Sequence, residues 1–381
     1  MAVGLSYPTF SEAEFARRLT AVRASMSRSD IDCLLLYGAG RAADVQYFSH
    51  WPGTREAFLV LRREGEPTLL VQLNNHVATA RRVAVTRDVR WAGPDSDAVV
   101  DVLARGSYAR IGLVGAVPWR IVARVAQRCP TTELVDATPD VRAVRSVASA
   151  EEIAFLREAA RITDLAMEAL EREVRPGLRE RELAGIVESA IARGGGTPGI
   201  HFMATTPMRA PTAGVPSQIQ SSRVIERGDV LITEISAHHW GYGGQIHRAY
   251  AIGEEPTDEY RRLHDAAAEA YERICDVLRD GATVADVLDA ADVLHKRGYT
   301  IVDDLLHGTD QLPPIIQTRR TARGPQPESF VFRENMVVVV QPNVVTDETG
   351  TMGLQVGETV RVAQEGIERL HRYPMRFVRC G

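Results

Sequence analysis

The amino-acid sequence predicts two successive domains, an α/β domain over residues 1–145 and an α+β domain over residues 146–381. A chain of 381 residues is too long for one ordinary hydrophobic core and fits two domains. In its first part, short apolar runs alternate with helical patterns, which is typical of an α/β sheet. In the remainder, helices and antiparallel strands come in blocks, as in α+β domains.

The elements of the first domain are predicted from the spacing of apolar residues. From Glu12 to Ser27 these residues recur at helical spacing. Further helices are predicted around Ala98–Ala104 and Arg120–Gln127. Short apolar runs bounded by turn residues predict strands at Cys33–Tyr37, Ala57–Leu61, Thr68–Val71, Ile111–Val114 and Glu133–Val135.

The second domain opens with a long amphipathic helix that runs to Glu173. Ser149 and Glu152 match a capping box at its start. The next helix, Arg179–Ala192, ends at the glycine run that begins with Gly194. The later predicted elements are strands Val230–Ala237 and Ile246–Ile252, helices Asp258–Arg279 and Val284–Arg297, and strands Met336–Gln341 and Glu358–Ala363.

Composition and charge exclude several classes of function. The chain is 45% hydrophobic and 25% charged, as in soluble globular proteins, and its net charge of -5 is unlike that of a nucleic-acid-binding protein. No apolar run approaches the roughly 18 residues that cross a bilayer. Met1–Phe10 lacks the pattern of a signal peptide, and the four cysteines form no C-x-x-C pair. We therefore expect a cytoplasmic protein that binds neither nucleic acid nor membrane.

Several segments, by their order and spacing, resemble the creatinase, prolidase and aminopeptidase P family. They are Asp44–Ser49 in the first domain and Glu151–Ala160, Gly228–Ile232, Gly241–Tyr242, His247–Tyr250 and Asn335–Pro342 in the second. The resemblance covers essentially the whole chain. It implies a creatinase/prolidase-like N-terminal domain followed by a pita-bread catalytic-type domain. It also implies a homodimer in which the N-terminal domain helps to close the partner's site.

The resemblance also shows a departure at the metal-binding positions. In metal-dependent members of this family, two aspartates, one histidine and two glutamates hold two divalent ions. The corresponding positions here are Glu234, Gln245, His307, Gln341 and Gly357. Hard divalent ions require several anionic oxygens, and a single carboxylate does not balance two of them. We expect no dinuclear metal site and no cofactor, although one weakly held ion on Glu234 and His307 remains an alternative.

Strand geometry predicts what lines this cavity instead. Alternate residues of a strand face the same side, so positions two residues from a former ligand face the cavity as well. The predicted lining consists of Glu234, Gln245, His247, His307, Gln341, Asn343 and Gln355. His307, Glu234 and His247 are the candidate catalytic residues, because a carboxylate beside imidazoles supports general acid–base catalysis. The amides, together with His201 and Tyr242, are the candidate substrate-binding residues.

Three functional hypotheses follow. The first is a metal-independent hydrolase, or a lyase or cyclase, that acts on a C–N or related bond of a small polar, amino-acid-like substrate. The second is a non-catalytic binding module, since a pita-bread domain without metals can serve as a recognition scaffold. The third is a residual metal-dependent Xaa-Pro peptidase, which conflicts with the loss of metal ligands. Fold alone does not choose between them.

Overall fold

The computed structural model describes residues 7–40, 43–347 and 349–381. The chain separates into two compact units, and the boundary lies between Arg145 and Ser146. The first unit is an α/β domain and the second an α+β domain, which confirms the predicted fold class. Within the described residues, no helix combines the length and the apolar character needed to cross a membrane.

The first unit is built on a mixed sheet with the strand order β4-β3-β2-β1-β5-β6. Its elements are α1 (Glu12–Arg28), β1 (Cys33–Gly38), α2 (Ala43–Ser49), β2 (Ala57–Arg62), β3 (Thr68–Val71), α3 (Val77–Val83), β4 (Asp88–Trp91), α4 (Asp97–Ala104), β5 (Arg110–Val114), α5 (Trp119–Arg128), β6 (Glu133–Asp136) and α6 (Thr138–Arg145). The predicted elements of this domain are present, and their ends differ from the prediction by at most one residue. The short elements α2, α3, β4 and α6 were not predicted.

The apolar run in β1 is explained by burial on both faces of this sheet. Leu34 and Leu36 belong to one hydrophobic core, whereas Cys33 and Leu35 belong to the core on the other side. A strand that is covered on both faces is expected to be apolar at every position.

The second unit contains a large sheet with the order β12-β11-β13-β16-β9-β8-β7 and a smaller sheet with the order β10-β14-β15. Its elements are α7 (Ala150–Glu173), α8 (Glu180–Arg193), β7 (Thr197–Pro207), β8 (Asp229–His239), β9 (Tyr242–Ile252), α9 (Asp258–Val277), α10 (Val284–Ala291), α11 (Val293–Lys296), β10 (Thr300–Ile301), β11 (Leu306–Gly308), β12 (Ile315–Ile316), β13 (Val337–Val340), β14 (Asn343–Val345), β15 (Gly353–Gln355), β16 (Gly357–Ala363), β17 (Gly366–Arg369) and β18 (Val378–Cys380). β17 pairs with β16, and β18 pairs with β9.

Helix α7 begins as the sequence predicts. The backbone N–H of Glu152 donates to Ser149 Oγ at 3.2 Å, and the N–H of Ser149 donates to Glu152 Oε2 at 2.9 Å. This reciprocal pair satisfies two backbone donors that a helix end otherwise leaves free. The predicted helix Val284–Arg297 is interrupted at Asp292, which separates α10 from α11.

Helices cover both faces of the β8–β9 hairpin. Leu231 and Ile235 of β8 pack in the core that includes α7 and α8, whereas Val230 and Ile232 pack in the core that includes α9 and α10. By strand alternation, Glu234 continues the row of Val230 and Ile232. The candidate site therefore interrupts the apolar face on the α9 side.

Candidate functional site

A network of buried polar side chains is centred on Gln245. The hairpin register places Glu234 opposite His247, so side chains from β8 and β9 meet on one face. Gln245 Nε2 donates to Glu234 Oε1 at 3.0 Å and to Gln341 Oε1 at 3.2 Å. His247 Nε2 lies 3.2 Å from the same amide nitrogen, which makes it a further acceptor. The structure thus brings four of the predicted residues into direct contact.

His307 completes this group, which we call the amide–histidine cluster: Glu234, Gln245, His247, His307 and Gln341. The His307 side chain is buried in β11, and its Nδ1 lies 2.7 Å from the carbonyl oxygen of Gly308. Because a carbonyl only accepts, Nδ1 carries the ring proton. Nε2 of the neutral ring is then left as an acceptor.

Within the cluster, the pKa of the Glu234 carboxyl group is raised and the pKa of the His247 imidazole is lowered. Burial, followed by the nearby carboxylates of Asp303 and Asp304, raises the pKa of Glu234 to about 7. Burial holds the pKa of His247 well below its usual value, and the electrostatic effects of the nearby His307 and Arg248 side chains act in the same direction. Near neutral pH, Glu234 exchanges a proton readily whereas His247 stays neutral.

Asp303 and Asp304 belong to the site although the sequence did not suggest them. They lie in the turn between β10 and β11. Burial and repulsion by Asp303 raise the pKa of Asp304, and His307 partly offsets this rise. In the sequence, the occurrence of two adjacent acidic residues shortly before His307 could have indicated that they belong to the site. Strand alternation could not place them, because the alternation of faces does not extend through a turn.

Asn343 fixes this acidic turn. Its Oδ1 accepts from the backbone N–H groups of Val302 and Asp303, each at 3.0 Å, and its Nδ2 donates to the carbonyl oxygen of Asp304 at 3.2 Å. The side chain is fully buried. Asn343 therefore uses its polar atoms to position the turn, which gives it a different role from the substrate contact that we predicted.

Gln355 lies opposite Asn343 in the β14–β15 pair. Its side chain is buried, with only 1% of the residue exposed. Its Oε1 has no hydrogen-bond partner among the described residues. A buried polar atom without a partner is costly, and His247 Nδ1 within the cluster likewise has no hydrogen-bond partner among the described residues.

Two predicted substrate-binding residues do not join the cluster. His201 pairs with Ile235, whose side chain packs towards α7 and α8, and His201 Nε2 lies 3.4 Å from Glu188 Oε1 on α8. The Tyr242 hydroxyl donates to Glu152 Oε1 at 2.9 Å, at the start of α7. For both residues the structure corrects the expectation from sequence, because they face the helices instead of the polar network.

Glu358 follows Gly357, the position that the family resemblance predicts to correspond to a metal ligand, and its charge is neutralised by other side chains. Arg248 Nη2 donates to it at 2.5 Å, Arg369 Nε at 2.6 Å and the Tyr271 hydroxyl at 3.2 Å. These interactions outweigh burial and lower the pKa of Glu358. It therefore acts as a buried structural anion paired with Arg248 and Arg369.

The residues of the cluster do not fit two divalent ions. Gln245 directs N–H groups at the oxygens of Glu234 and Gln341, and an N–H group cannot be a metal ligand. A Cβ atom at Gly357 would lie 2.1 Å from the carbonyl oxygen of Val340, so the backbone leaves no space for a side chain there. Within the described residues, no group of three or more histidine, cysteine, aspartate or glutamate side chains has the arrangement of a metal site.

Comparison with known proteins identifies the family of both domains. Residues 154–364 match metallopeptidase family M24, and residues 18–147 match the creatinase/prolidase N-terminal domain. The sequence is 30% identical to an uncharacterized hydrolase/peptidase, y4tL, of Sinorhizobium fredii, over 97% of each chain. It is 22% identical to the creatinase of a Bacillus species, over 96% of this chain and 92% of the relative.

Solved structures agree on the fold. The X-Pro aminopeptidase from Thermotoga maritima superposes with a TM-score of 0.80 over 95% of this chain and 99% of its own, at 22% identity. The two units and their likeness to these proteins define a pita-bread protein with a creatinase/prolidase N-terminal domain. The chain belongs to metallopeptidase family M24, and its matched relatives include hydrolases, peptidases and a creatinase. The family resemblance and the fold predicted from the sequence are therefore confirmed.

Proposed function

We propose that this chain is a hydrolase that cleaves a C–N bond of a small polar, amino-acid-like molecule without a metal ion. The observation that carries the proposal is the environment of Glu234. This carboxyl group has its pKa raised to about 7 and lies within hydrogen-bond distance of Gln245, beside the neutral His247. A group whose pKa lies near the working pH is suited to general acid–base catalysis, which contributes about 10²–10⁴-fold to a rate.

The proposed reaction balances with water as the only co-reactant. Ionised Glu234 takes a proton from a water molecule while the water oxygen bonds to the carbon of the C–N bond. The C–N bond then breaks, and the protonated carboxyl group returns the proton to the departing nitrogen. His307 presents an Nε2 acceptor to orient the water or the substrate, and the amides of Gln245 and Gln341 hold the carboxylate in place.

This assignment changes the roles expected from the sequence. The sequence suggested that His307 and His247 move protons while Glu234 orients them. The depressed pKa of His247 removes it from proton transfer near neutral pH, and the raised pKa of Glu234 moves that role to the carboxyl group. His247 then acts as a neutral acceptor for the Gln245 amide.

The test is an assay of amine release from small N-substituted amides and amidines, with creatine and Xaa-Pro dipeptides included. Each substrate is assayed with a chelator and, separately, with added Mn²⁺ or Co²⁺. We expect turnover that is insensitive to the chelator and that falls at least about 100-fold in Glu234→Gln. The matched control is Glu188→Gln, a half-exposed carboxylate on α8, which should retain activity. Turnover that requires Mn²⁺ or Co²⁺ would overturn the proposal.

One observation favours a second candidate, a residual metal-dependent Xaa-Pro peptidase with a single ion. Asp303 and Asp304 add carboxylates near Glu234 and His307, so the region is more acidic than the family positions alone indicate. Hard divalent ions prefer such oxygens. Elemental analysis of the purified protein distinguishes the two candidates, since this one predicts close to one tightly held divalent ion per chain.

We further propose that the chain works in the cytoplasm as a homodimer. The family resemblance supports the dimer, and light scattering of the purified protein tests it. A monomer at micromolar concentration would contradict the proposal.

A further inference from the structure

A cleft of about 350 Å³ in the second unit lies between α7 and the chain at the end of β17. Its described lining includes no member of the amide–histidine cluster. Helix α7 contributes Arg157 and Arg161, which are four residues apart and therefore lie on one face of the helix. Arg369, the last residue of β17, and Arg372 line the cleft as well. Four guanidinium groups thus meet at one cleft of a chain whose net charge is -5.

The two arginines of α7 use only part of their hydrogen-bonding capacity on the carboxylates of the cleft. Arg161 donates through Nε and Nη2 to the two oxygens of Glu158, at 2.8 and 2.7 Å. Arg157 donates through the same two atoms to the two oxygens of Glu368, at 2.8 and 2.9 Å. Both carboxylates are therefore satisfied, whereas Nη1 of each arginine has no hydrogen-bond partner among the described residues.

Arg372 is the arginine of this cleft whose side chain has no carboxylate partner among the described residues. Its backbone is nevertheless fixed, because its N–H donates to Asp164 Oδ2 at 2.7 Å. The other oxygen of Asp164 lies 2.8 Å from His371 Nδ1, so the third carboxylate of the cleft is satisfied too. Arg369 pairs through Nε with the buried Glu358 and keeps both Nη groups. The cleft therefore offers N–H donors on a fixed backbone, and its carboxylates leave them without acceptors.

We propose that this cleft is a binding site for a small phosphate monoester, whose phosphate oxygens accept from Arg372 and from the remaining Nη groups of the other arginines. The planar fork of arginine matches phosphate oxygens in pairs. A phosphate monoester presents three terminal oxygens and a charge close to -2, so it accepts from more guanidinium groups than a carboxylate does. Ala154 and Leu370 provide apolar surface for the organic part, and the volume of about 350 Å³ suits a small molecule. This site is separate from the proposed hydrolysis and does not depend on it.

The experiment is calorimetric titration of the full chain with glycerol 3-phosphate, with glycerol and succinate as comparison ligands. A chelator is present throughout, so that no metal ion carries the phosphate. We expect one glycerol 3-phosphate to bind per chain with a Kd of about 1 mM or lower, and both comparison ligands to bind at least about tenfold more weakly. Arg372→Gln should raise this Kd at least about tenfold. The matched control Arg376→Gln removes another exposed arginine, which pairs with Glu171 outside the cleft, and should change the Kd less than about twofold.

Four results would overturn the proposal. The first is the absence of saturable binding up to about 10 mM glycerol 3-phosphate. The second is an unchanged Kd in Arg372→Gln, because the phosphate then binds elsewhere on the chain. The third is an equal loss in Arg372→Gln and Arg376→Gln, which indicates an effect of overall charge instead of a site. The fourth is equal affinity for succinate, which rejects the phosphate class. Arg372→Gln should keep the melting temperature of the native protein, since its side chain has no partner in the described part of the fold.

Discussion

The raised pKa of Glu234 makes folding stability depend on pH in a way that a single substitution removes. The ordinary pKa of the group is 4.5, and in the folded protein it is about 7. Between these values the folded state holds a proton that the unfolded state has released, so the free energy of unfolding falls as pH rises. The stabilisation is complete below pH 4.5 and is lost by the time pH passes 7.

The size of the effect follows from the same two pKa values. A difference of one pKa unit is equivalent to about 1.4 kcal/mol. Glu234 then lowers the free energy of unfolding by roughly 1 kcal/mol at pH 5 and by roughly 3 kcal/mol at pH 8, relative to a neutral side chain. The side chain is only 12% exposed, so screening by solvent reduces these values little.

The assay is urea unfolding of the native protein and of Glu234→Gln at pH 5 and pH 8, followed by circular dichroism. At each pH, the free energy of unfolding of the native protein is subtracted from that of the variant. This difference should be roughly 2 kcal/mol larger at pH 8 than at pH 5. Other titrating groups are common to both proteins and cancel in this difference. Glu188→Gln, an exposed substitution, should change stability by less than about 0.5 kcal/mol at either pH. A difference between the native protein and Glu234→Gln that is equal at pH 5 and pH 8 would refute the assigned pKa.

Three further predictions concern residues that support the site. Glu358→Gln leaves the buried guanidinium of Arg248 without its counter-ion and should lower the free energy of unfolding by about 3–5 kcal/mol, measured by urea unfolding at pH 7. Asn343→Ala removes the hydrogen bonds to the backbone groups of the acidic turn and should lower the free energy of unfolding by about 1–3 kcal/mol. It should also lower the pKa of Glu234, which is measured by the pH dependence of the rate. An unchanged rate profile would contradict the positioning role of Asn343. Gly357→Ala places a Cβ against the backbone and should destabilise by about 1–3 kcal/mol in a thermal melt, and Gly357→Glu should not create Mn²⁺ binding in calorimetry.

Regular periodicity accounts for what sequence reasoning predicted well. The strand Val230–Ala237 and the helix that begins at Ser149 were predicted because their patterns persist over many residues, and both are present. Strand alternation also placed Gln245 and His247 on one face, since β9 is regular over this stretch. The departure from the family's ligand pattern stays a prediction from the residue types.

Irregular backbone explains the errors. The register of β7 shifts between Pro198 and His201, and such an irregularity changes which face the following residues occupy. This places His201 towards α8, although a regular strand pattern gave no sign of it. The acidic turn was missed for a similar reason, because its position depends on hydrogen bonds from Asn343, which lies about 40 residues further along the chain.

The sequence by itself determined the family and the order of the elements, because these follow from residue identity and local periodicity. Only the tertiary structure decided how the remaining polar groups interact. It placed Asp303 and Asp304 near Glu234 and paired Glu358 with Arg248. It also left Gln355 Oε1 without a hydrogen-bond partner among the described residues. Protonation and hydrogen bonding depend on distances between distant parts of the chain and on burial, and neither quantity is encoded in any local pattern.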